Sequence, residues 1–68
     1  MNILKKLRYE AGIKQSELAK KINVDQTQIS RWESSKAMPG LNNLIKLSRF
    51  YQINRVELAE LLILSSSR

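Results

Sequence analysis

The sequence contains neither cysteine nor histidine among its 68 residues. Without cysteine it can form no disulfide and has no thiolate ligand for a structural zinc ion. Without histidine it lacks the commonest metal ligand and the commonest general base. Paired carboxylates and a glycine-rich phosphate-binding loop are also absent. We therefore expect no enzymatic activity, no metal site and no cofactor.

Residues that break helices are rare, and β-strand patterns are absent. One proline and two glycines occur, and they lie between periodic segments. No stretch alternates strictly between polar and apolar residues. The longest apolar run, 61–64, is far shorter than the roughly 20 residues of a membrane span. The N-terminus has no apolar run of signal-peptide length. We expect a single all-α domain located in the cytoplasm.

Acidic residues are scarce: six Asp and Glu stand against twelve Lys and Arg, which gives a net charge of +6. Such an excess on a small domain attracts polyanions, nucleic acid first and acidic membrane surfaces second. A basic protein without a nucleic-acid partner has the same charge, so this alternative stays open here. The 43% of hydrophobic residues is enough for a core, which argues against a disordered basic tail.

Apolar periodicity predicts a bundle of five short helices, at about 2–11, 15–22, 26–34, 41–51 and 54–63. Caps are predicted at Asn2 and Gly12, and capping boxes at 25–28 and 54–57. We expect the domain to cover 1–64 and a disordered tail to cover 65–68. The residues expected to face the core are Leu4, Leu7, Ala11, Leu18, Ala19, Ile22, Ile29, Trp32, Leu41, Leu44, Ile45, Leu47, Tyr51, Leu58 and Leu62.

Only three residues, 23–25, separate the second and third predicted helices. Two short amphipathic helices joined by such a turn have helix-turn-helix spacing. A plain helical hairpin has the same spacing, so the spacing does not decide between DNA binding and simple packing. Asn23 is one of the few non-glycine residues that tolerate the left-handed conformation of a sharp helix exit.

The outer face of the third predicted helix favours DNA binding. At about 100° per residue, Ile29 and Trp32 point inward. The opposite face has no acidic side chain and consists of Gln26, Thr27, Ser30, Arg31 and Ser34. Glutamine pairs bidentately with adenine, arginine with guanine, and a threonine methyl group contacts a thymine methyl group. A helix that enters the major groove by its N-terminus presents Gln26 and Thr27 first.

Several stretches together resemble the Cro and phage-repressor type of helix-turn-helix proteins, which have the lambda repressor-like fold. The resemblance covers about residues 4–62. It rests on Leu7-Arg8, Ala11-Gly12-Ile13, Gln15-Ser16-Glu17-Leu18-Ala19, Ile29-Ser30-Arg31-Trp32-Glu33, Pro39 and the stretch 44–53.

The resemblance implies roles for matching positions. Base contacts are implied for Gln26, Thr27, Ser30 and Arg31. Contacts to the DNA backbone are implied for Ser34, Lys36 and Gln15, and Gln15 would also brace the recognition helix. Arg8 and Glu33 match a partly buried ion pair between the first and third helices, with a phosphate contact by Arg8 as a secondary role.

Three positions depart from the family pattern. Lys14 stands where the family has a small polar N-cap, a loss of about 1 kcal/mol unless the lysine gains a phosphate contact. Asn23 replaces the usual glycine of the turn. Phe50 lies off the apolar arc of the fourth helix, where we expect either an exposed aromatic ring or part of an interface.

The last predicted helix is apolar on most sides. Leu58 and Leu62 are expected to cover the core. The surplus at Val56, Leu61, Ile63 and Leu64 would be exposed in a monomer, and such a patch usually marks an interface. We expect a two-fold homodimer built on this helix and the loop before helix four, with Phe50 as a contributor. The competing interpretation is an apolar C-terminus that binds a different protein.

These observations predict a sequence-specific, double-stranded DNA-binding transcriptional regulator, a homodimeric repressor that binds an inverted-repeat operator. No small-molecule ligand and no membrane contact are expected. The alternative is a protein-interaction module on the same fold, such as an antirepressor or regulatory subunit. An interaction module would have no reason to keep the Gln26, Thr27, Ser30 and Arg31 face free of acids.

Overall fold

Five α-helices make up the regular secondary structure of residues 2–66, the part of the chain that the computed structural model describes. Within that range there is no β-strand, so the all-α prediction is confirmed. The helices are α1 (Ile3–Ala11), α2 (Gln15–Ile22), α3 (Gln26–Glu33), α4 (Leu41–Tyr51) and α5 (Arg55–Ser66).

Capping residues at the predicted positions explain where α1 begins and where α1 and α2 end. The Oδ1 of Asn2 accepts a hydrogen bond from the backbone N–H of Leu4 at 2.7 Å. Gly12 has a φ of 68° and Asn23 a φ of 57°, so both helices end in the left-handed conformation that glycine and asparagine tolerate best. The predicted ends of α1 and α2 are therefore confirmed.

Helices α3 and α5 also begin at the expected side chains. The backbone N–H of Asp25 donates to Oε1 of Gln28 at 3.4 Å. The Oδ1 of Asn54 accepts from the backbone N–H groups of Val56 at 2.8 Å and Glu57 at 3.3 Å. These bonds satisfy backbone donors that a helix N-terminus leaves without intrahelical partners.

All five helices contribute to one core. Its buried apolar members are Leu4, Leu18, Ala19, Ile22, Ile29, Trp32, Leu47, Leu58 and Leu62. Each large member contributes about 1.5–3 kcal/mol by leaving water. Since α2 and α3 supply five of the nine residues, the same packing that stabilises the domain also fixes the orientation of these two helices.

Two residues predicted to face the core are exposed instead, and both lie at helix ends. Leu41, the first residue of α4, is 68% exposed, and Ala11, the last residue of α1, is also exposed. Periodicity assigns them to the apolar stripe of their helices, but it does not show whether a helix end is covered by its neighbours. In α1 the inward position one turn after Leu4 belongs to Arg8, which is buried.

Two further predictions are corrected at the C-terminal half. Phe50 is half-buried against its own core, with its ring edge-to-face on Tyr51 at 5.1 Å and 81°. It is therefore not a freely exposed ring.

Helix α5 continues to Ser66, where we expected it to end near Ile63 with a disordered tail from 65. In its last turn the hydroxyl of Ser65 donates to the carbonyl of Leu62 at 3.2 Å. The rest of the expected tail, 67–68, lies outside the described residues.

A membrane-crossing helix is not found between residues 2 and 66, because none of the helices there is sufficiently long and apolar.

Candidate nucleic-acid interface

Helix α3 is held with one face in the core and the other in solvent. Ile29 and Trp32 are buried, as predicted. The opposite side, which we name the recognition face, consists of Gln26, Thr27, Ser30, Arg31 and Ser34, and all five are exposed. No acidic side chain lies among them, so nothing on this face repels phosphate.

The N-terminal part of the recognition face forms a shallow polar concavity with the start of α2. Its lining consists of Gln15, Gln26, Thr27 and Ser30. The structure thus brings together Gln15, expected at the DNA backbone, and three of the four residues expected at bases. Arg31 lies further along the same helix and is exposed.

Gln15 links the recognition face to the interior. Its Nε2 donates to Oε1 of Glu33 at 3.1 Å. Its Oε1 accepts from Nε2 of Gln26 at 3.5 Å. Gln15 therefore touches the first residue of the recognition helix, as a bracing residue must, while one side of it stays accessible to solvent.

Arg8 and Glu33 form a buried ion pair behind this face. The Nε of Arg8 lies 2.7 Å from Oε2 of Glu33, and the Nη2 of Arg8 lies 3.0 Å from Oε1. Their side chains are only 9% and 3% exposed. The Nη1 of Arg8 also donates to the carbonyl of Ile13 at 2.9 Å. Hydrogen bonding to Glu33 raises the pKa of Arg8 above its ordinary value.

This geometry favours a structural role for Arg8 over a phosphate contact. All three guanidinium nitrogens donate to groups of the same chain, and the residue is buried. The pair joins α1 to the end of α3, and the Ile13 contact adds the α1–α2 loop. The orientation of the recognition helix therefore depends on this pair.

Asn2 is a second connection between α1 and α3 that the sequence did not reveal. Besides capping α1, its Nδ2 donates to the carbonyl of Trp32 at 2.9 Å and to Oγ of Ser35 at 3.1 Å. These partners lie about thirty positions away in sequence, so no local pattern indicates them.

Three exposed residues lie at positions expected to contact the DNA backbone: Ser34, the last residue of the recognition face, and Lys36 and Lys14 outside it. Ser34 caps α3, and its hydroxyl donates to the carbonyl of Arg31 at 3.2 Å. Lys36 follows in the loop, where its backbone N–H donates to the same carbonyl at 2.9 Å. Lys14 precedes α2, and its backbone N–H donates to Oε1 of Glu17 at 3.2 Å. Both lysine side chains are exposed.

A basic groove at the far end of α2 was not singled out from the sequence. Lys21, Lys46 and Arg49 lie around Ile22, Asn23 and Phe50. Its residues come from α2, the turn after it and α4, so only the fold brings them together. It shares no residue with the concavity at the recognition face.

The residues expected at a dimer interface differ in how much of their side chains is exposed. Val56 and Ile63 are each 60% exposed and Leu64 is 70% exposed. Leu61 is half-buried, and Phe50 packs against its own core. Met38, in the loop before α4 that we expected at the interface, is 49% exposed, and Leu41, which we did not assign to the interface, is 68% exposed.

Two packed helices joined by a three-residue turn, the second presenting a polar acid-free face, define the class of helix-turn-helix DNA-binding domains. The chain belongs to the helix-turn-helix family, whose model matches residues 4–58. The resemblance to the Cro and phage-repressor type is thereby confirmed.

Two relatives are transcriptional regulators by name. The HTH-type transcriptional activator BcrR of Enterococcus faecalis is 36% identical over 55 residues, which are 81% of this chain and 27% of that protein. The HTH-type transcriptional regulator ImmR of Bacillus subtilis (strain 168) is 35% identical over 51 residues, 75% of this chain and 40% of that protein. The matched chain thus spans well under half the length of either relative. No solved structure matches significantly. Family and relatives agree with the expectation of a DNA-binding regulator that is not an enzyme.

Proposed function

We propose that this chain acts in the cytoplasm as a sequence-specific repressor that binds an inverted-repeat operator in double-stranded DNA as a homodimer. The observation that supports this most strongly is the recognition face. Five polar or basic side chains are exposed on one helix without an acidic neighbour among them, and the first of them is braced by Gln15.

In the proposed complex α3 lies in the major groove with its N-terminus foremost. Gln26 and Thr27 contact bases from the first turn, and Ser30 and Arg31 contact bases one turn later. Lys14, Gln15, Ser34 and Lys36 contact phosphates at either side of the helix. The net charge of +6 supplies the sequence-independent attraction on which these contacts build.

Exposed apolar side chains on α5 support the homodimer. Val56, Ile63 and Leu64 each leave more than half of their surface in water, and a second copy would cover them at little cost. Met38, in the loop before α4, and Leu41, at the start of α4, add exposed apolar surface. A two-fold dimer would set two recognition helices about 34 Å apart, one turn of DNA, so that the operator is an inverted repeat.

The repressor role follows from steric exclusion rather than from the relatives. A dimer bound across a promoter blocks polymerase without any further contact. Activation requires an additional surface that touches the polymerase. One relative is named an activator, so a repression assay and an activation assay on the same promoter are both needed to test this part of the proposal.

The decisive variant for base contact is Gln26→Ala, tested on an operator selected from random duplex DNA. We expect a loss of about 1–3 kcal/mol in binding, concentrated at one base pair. Equal loss on all sequences would contradict a base contact by Gln26.

Sedimentation velocity tests the dimer. The wild type should sediment as a dimer at tens of micromolar, and Leu64→Glu should shift it toward a monomer because the charge would be buried in the interface. A wild-type monomer at that concentration would contradict the homodimer.

The second candidate is a protein-interaction module on the same fold. The exposed apolar patch of α5 and the basic groove at Lys21, Lys46 and Arg49 favour it. Such a module would bind DNA weakly, with strong salt dependence and no sequence preference, and it would keep its partner binding when Gln26 is replaced.

A further inference from the structure

The basic groove at the far end of α2 combines three cations with an apolar floor. Lys21 extends from the last turn of α2, and Lys46 and Arg49 extend from α4. Ile22 and Phe50 line the same groove, whose surface is mostly apolar. Ile22 is buried and Phe50 is half-buried, whereas all three cations are exposed. The core therefore holds the floor in place while the charges stay in solvent.

The three cations have no carboxylate partner in the part of the chain that the structure describes. The Arg8–Glu33 pair is the one ion pair between residues 2 and 66, so Lys21, Lys46 and Arg49 keep their charge for a partner. Their aliphatic stems can also lie along apolar surface while the charged ends stay in water. A surface of this kind is complementary to a partner that brings carboxylates and an apolar side chain together.

Two of the three positions that depart from the family pattern line this groove. Asn23 stands where glycine is usual, and Phe50 lies off the apolar arc of α4. Asn23 has a φ of 57°, a conformation that costs asparagine more than glycine, yet it places an exposed amide beside the cations. That amide can both donate to and accept from a peptide backbone. The groove therefore depends on residues that the family pattern does not require.

The groove and the recognition face lie at opposite ends of α2. Gln15 begins this helix beside the recognition face, and Ile22 ends it at the groove. With a rise of about 1.5 Å per residue, the two ends are about 10 Å apart. The groove shares no residue with the concavity at the recognition face, so an occupant of the groove leaves the recognition face open.

We propose that the basic groove binds an acidic peptide segment of another protein, and that DNA on the recognition face does not prevent this binding. Carboxylates of the segment pair with the three cations, and one of its apolar side chains packs on Phe50. The docking does not depend on the proposed function, because it uses no residue of the recognition face.

Other occupants match the groove less well. A DNA backbone brings negative charge but nothing that an apolar floor would bury. Among the exposed acids of this chain, Glu57 and Glu60 alone lie within one helical turn of each other in sequence. Both lie on α5, the helix assigned to the homodimer, so a second copy would have to use this helix twice.

The first test uses a random peptide library displayed on phage and selected on the wild-type protein at about 150 mM salt. We expect a winning peptide rich in acidic residues that also contains a large apolar residue. In the synthetic peptide, changing the acids to amides, or the apolar residue to serine, should each weaken binding about tenfold. A selection that yields no acidic peptide, or a winner that binds equally well without its apolar residue, would overturn the proposal.

The variant Lys46→Glu tests where the winning peptide binds. The new carboxylate repels the peptide and lies one turn before Arg49, with which it pairs, so we expect about tenfold weaker binding. Lys6→Glu is the matched control, because it makes the same charge change at an exposed site on α1, and it should bind almost as wild type does. Arg49→Glu is a second groove variant, and circular dichroism checks that each is folded. Equal weakening by the control and the groove variants would leave net charge as the cause and overturn the site.

Amide chemical shifts locate the peptide on the protein. They should change at 21–23 and 46–50 and stay nearly constant at 26–34. Changes confined to 26–34 would mean that the peptide imitates DNA at the recognition face, which contradicts the proposal. Self-association that is lost in Lys46→Glu and kept in Lys6→Glu, measured by sedimentation, would assign the groove to a second copy instead.

The result for the groove is separable from the result for the proposed function. Peptide selection and peptide affinity need no DNA, so a wild-type protein without sequence preference would leave the docking test intact. Adding duplex DNA should change the peptide affinity little. A duplex that displaces the peptide would overturn the inference, because both would then occupy one surface.

Discussion

Replacing Arg8 with methionine tests whether the buried ion pair holds the recognition helix in place. Methionine keeps most of the aliphatic length of arginine but removes its charge and donors. Glu33, whose side chain is 3% exposed, would lose both hydrogen bonds from Arg8 and keep only the one from Gln15. The carbonyl of Ile13 would also lose its donor.

The expected cost is large relative to the stability of so small a domain. Breaking a buried pair by removing one partner costs about 3–5 kcal/mol, because an uncompensated charge remains inside. At roughly 0.05–0.15 kcal/mol per residue, a chain of this length has about 3–10 kcal/mol in total. We therefore expect Arg8→Met to lose between a third and all of the free energy of unfolding.

The double variant Arg8→Met, Glu33→Leu supplies the control. It leaves no buried charge, and replacing a whole buried pair with apolar side chains is often neutral or stabilising. Most of the stability lost in the single variant should therefore return, although the hydrogen bond from Gln15 to residue 33 is lost.

Urea unfolding followed by fluorescence of Trp32, the single tryptophan and a buried one, measures both variants. Two protein concentrations separate folding from association. A loss below about 1 kcal/mol for Arg8→Met would refute the reasoning, since it lies within the range of an exposed pair. A double variant as unstable as the single one would refute it equally.

Three further predictions concern single residues. Lys14→Ser should raise the free energy of unfolding by about 0.5–1 kcal/mol, since serine supplies the side-chain cap that α2 lacks. The midpoint of urea unfolding should rise accordingly, and an unchanged midpoint would contradict this. Burial raises the pKa of Tyr51 to about 12, so the folded state keeps a proton that the unfolded chain releases near pH 10. Stability should thus fall as pH rises from 10 through 12, and a pH series should show a smaller fall for Tyr51→Phe. Lys36→Ala should weaken binding to every duplex alike and lower the slope of log affinity against log salt by about 1; a slope equal to that of wild type would exclude the phosphate contact.

Local signals in the sequence predicted most of the fold. Asn2, Gly12, Asn23 and Asn54 mark helix ends through backbone bonds or φ values set within a few residues. Such signals act at short range and need no knowledge of tertiary contacts. For this reason α2, with its bounds at Gln15 and Ile22, was predicted without error.

Long-range packing explains what periodicity missed. Arg8 occupies an inward position in α1 because a carboxylate twenty-five positions away neutralises it. The resemblance to a family indicated this pair, whereas hydrophobic periodicity did not. Leu41, the first residue of α4, is 68% exposed, because the covering of a helix end is decided by tertiary packing and not by the periodicity of the helix itself. The hydrogen bond from Asn2 to Trp32 and the basic groove between α2 and α4 also arise from contacts between residues distant in sequence, which periodicity does not indicate.

The five residues of the recognition face were correctly predicted to be exposed, since the two inward positions that periodicity indicates, Ile29 and Trp32, determine which side of α3 points outward. Its use in DNA binding stays a prediction. The order of contacts behind it, from Glu33 through Gln15 to Gln26, emerged only from the structure, because it depends on which atoms of each amide face one another.

The most direct test of the central claim is selection of binding sites from random duplex DNA, followed by affinity for the winner against scrambled duplex at about 150 mM salt. We expect an enriched inverted repeat that the wild type binds roughly 10³-fold or more tightly than scrambled DNA. Binding that is weak, sensitive to salt and equal on both duplexes would contradict sequence-specific recognition. The net charge of +6 alone would then account for the affinity for DNA.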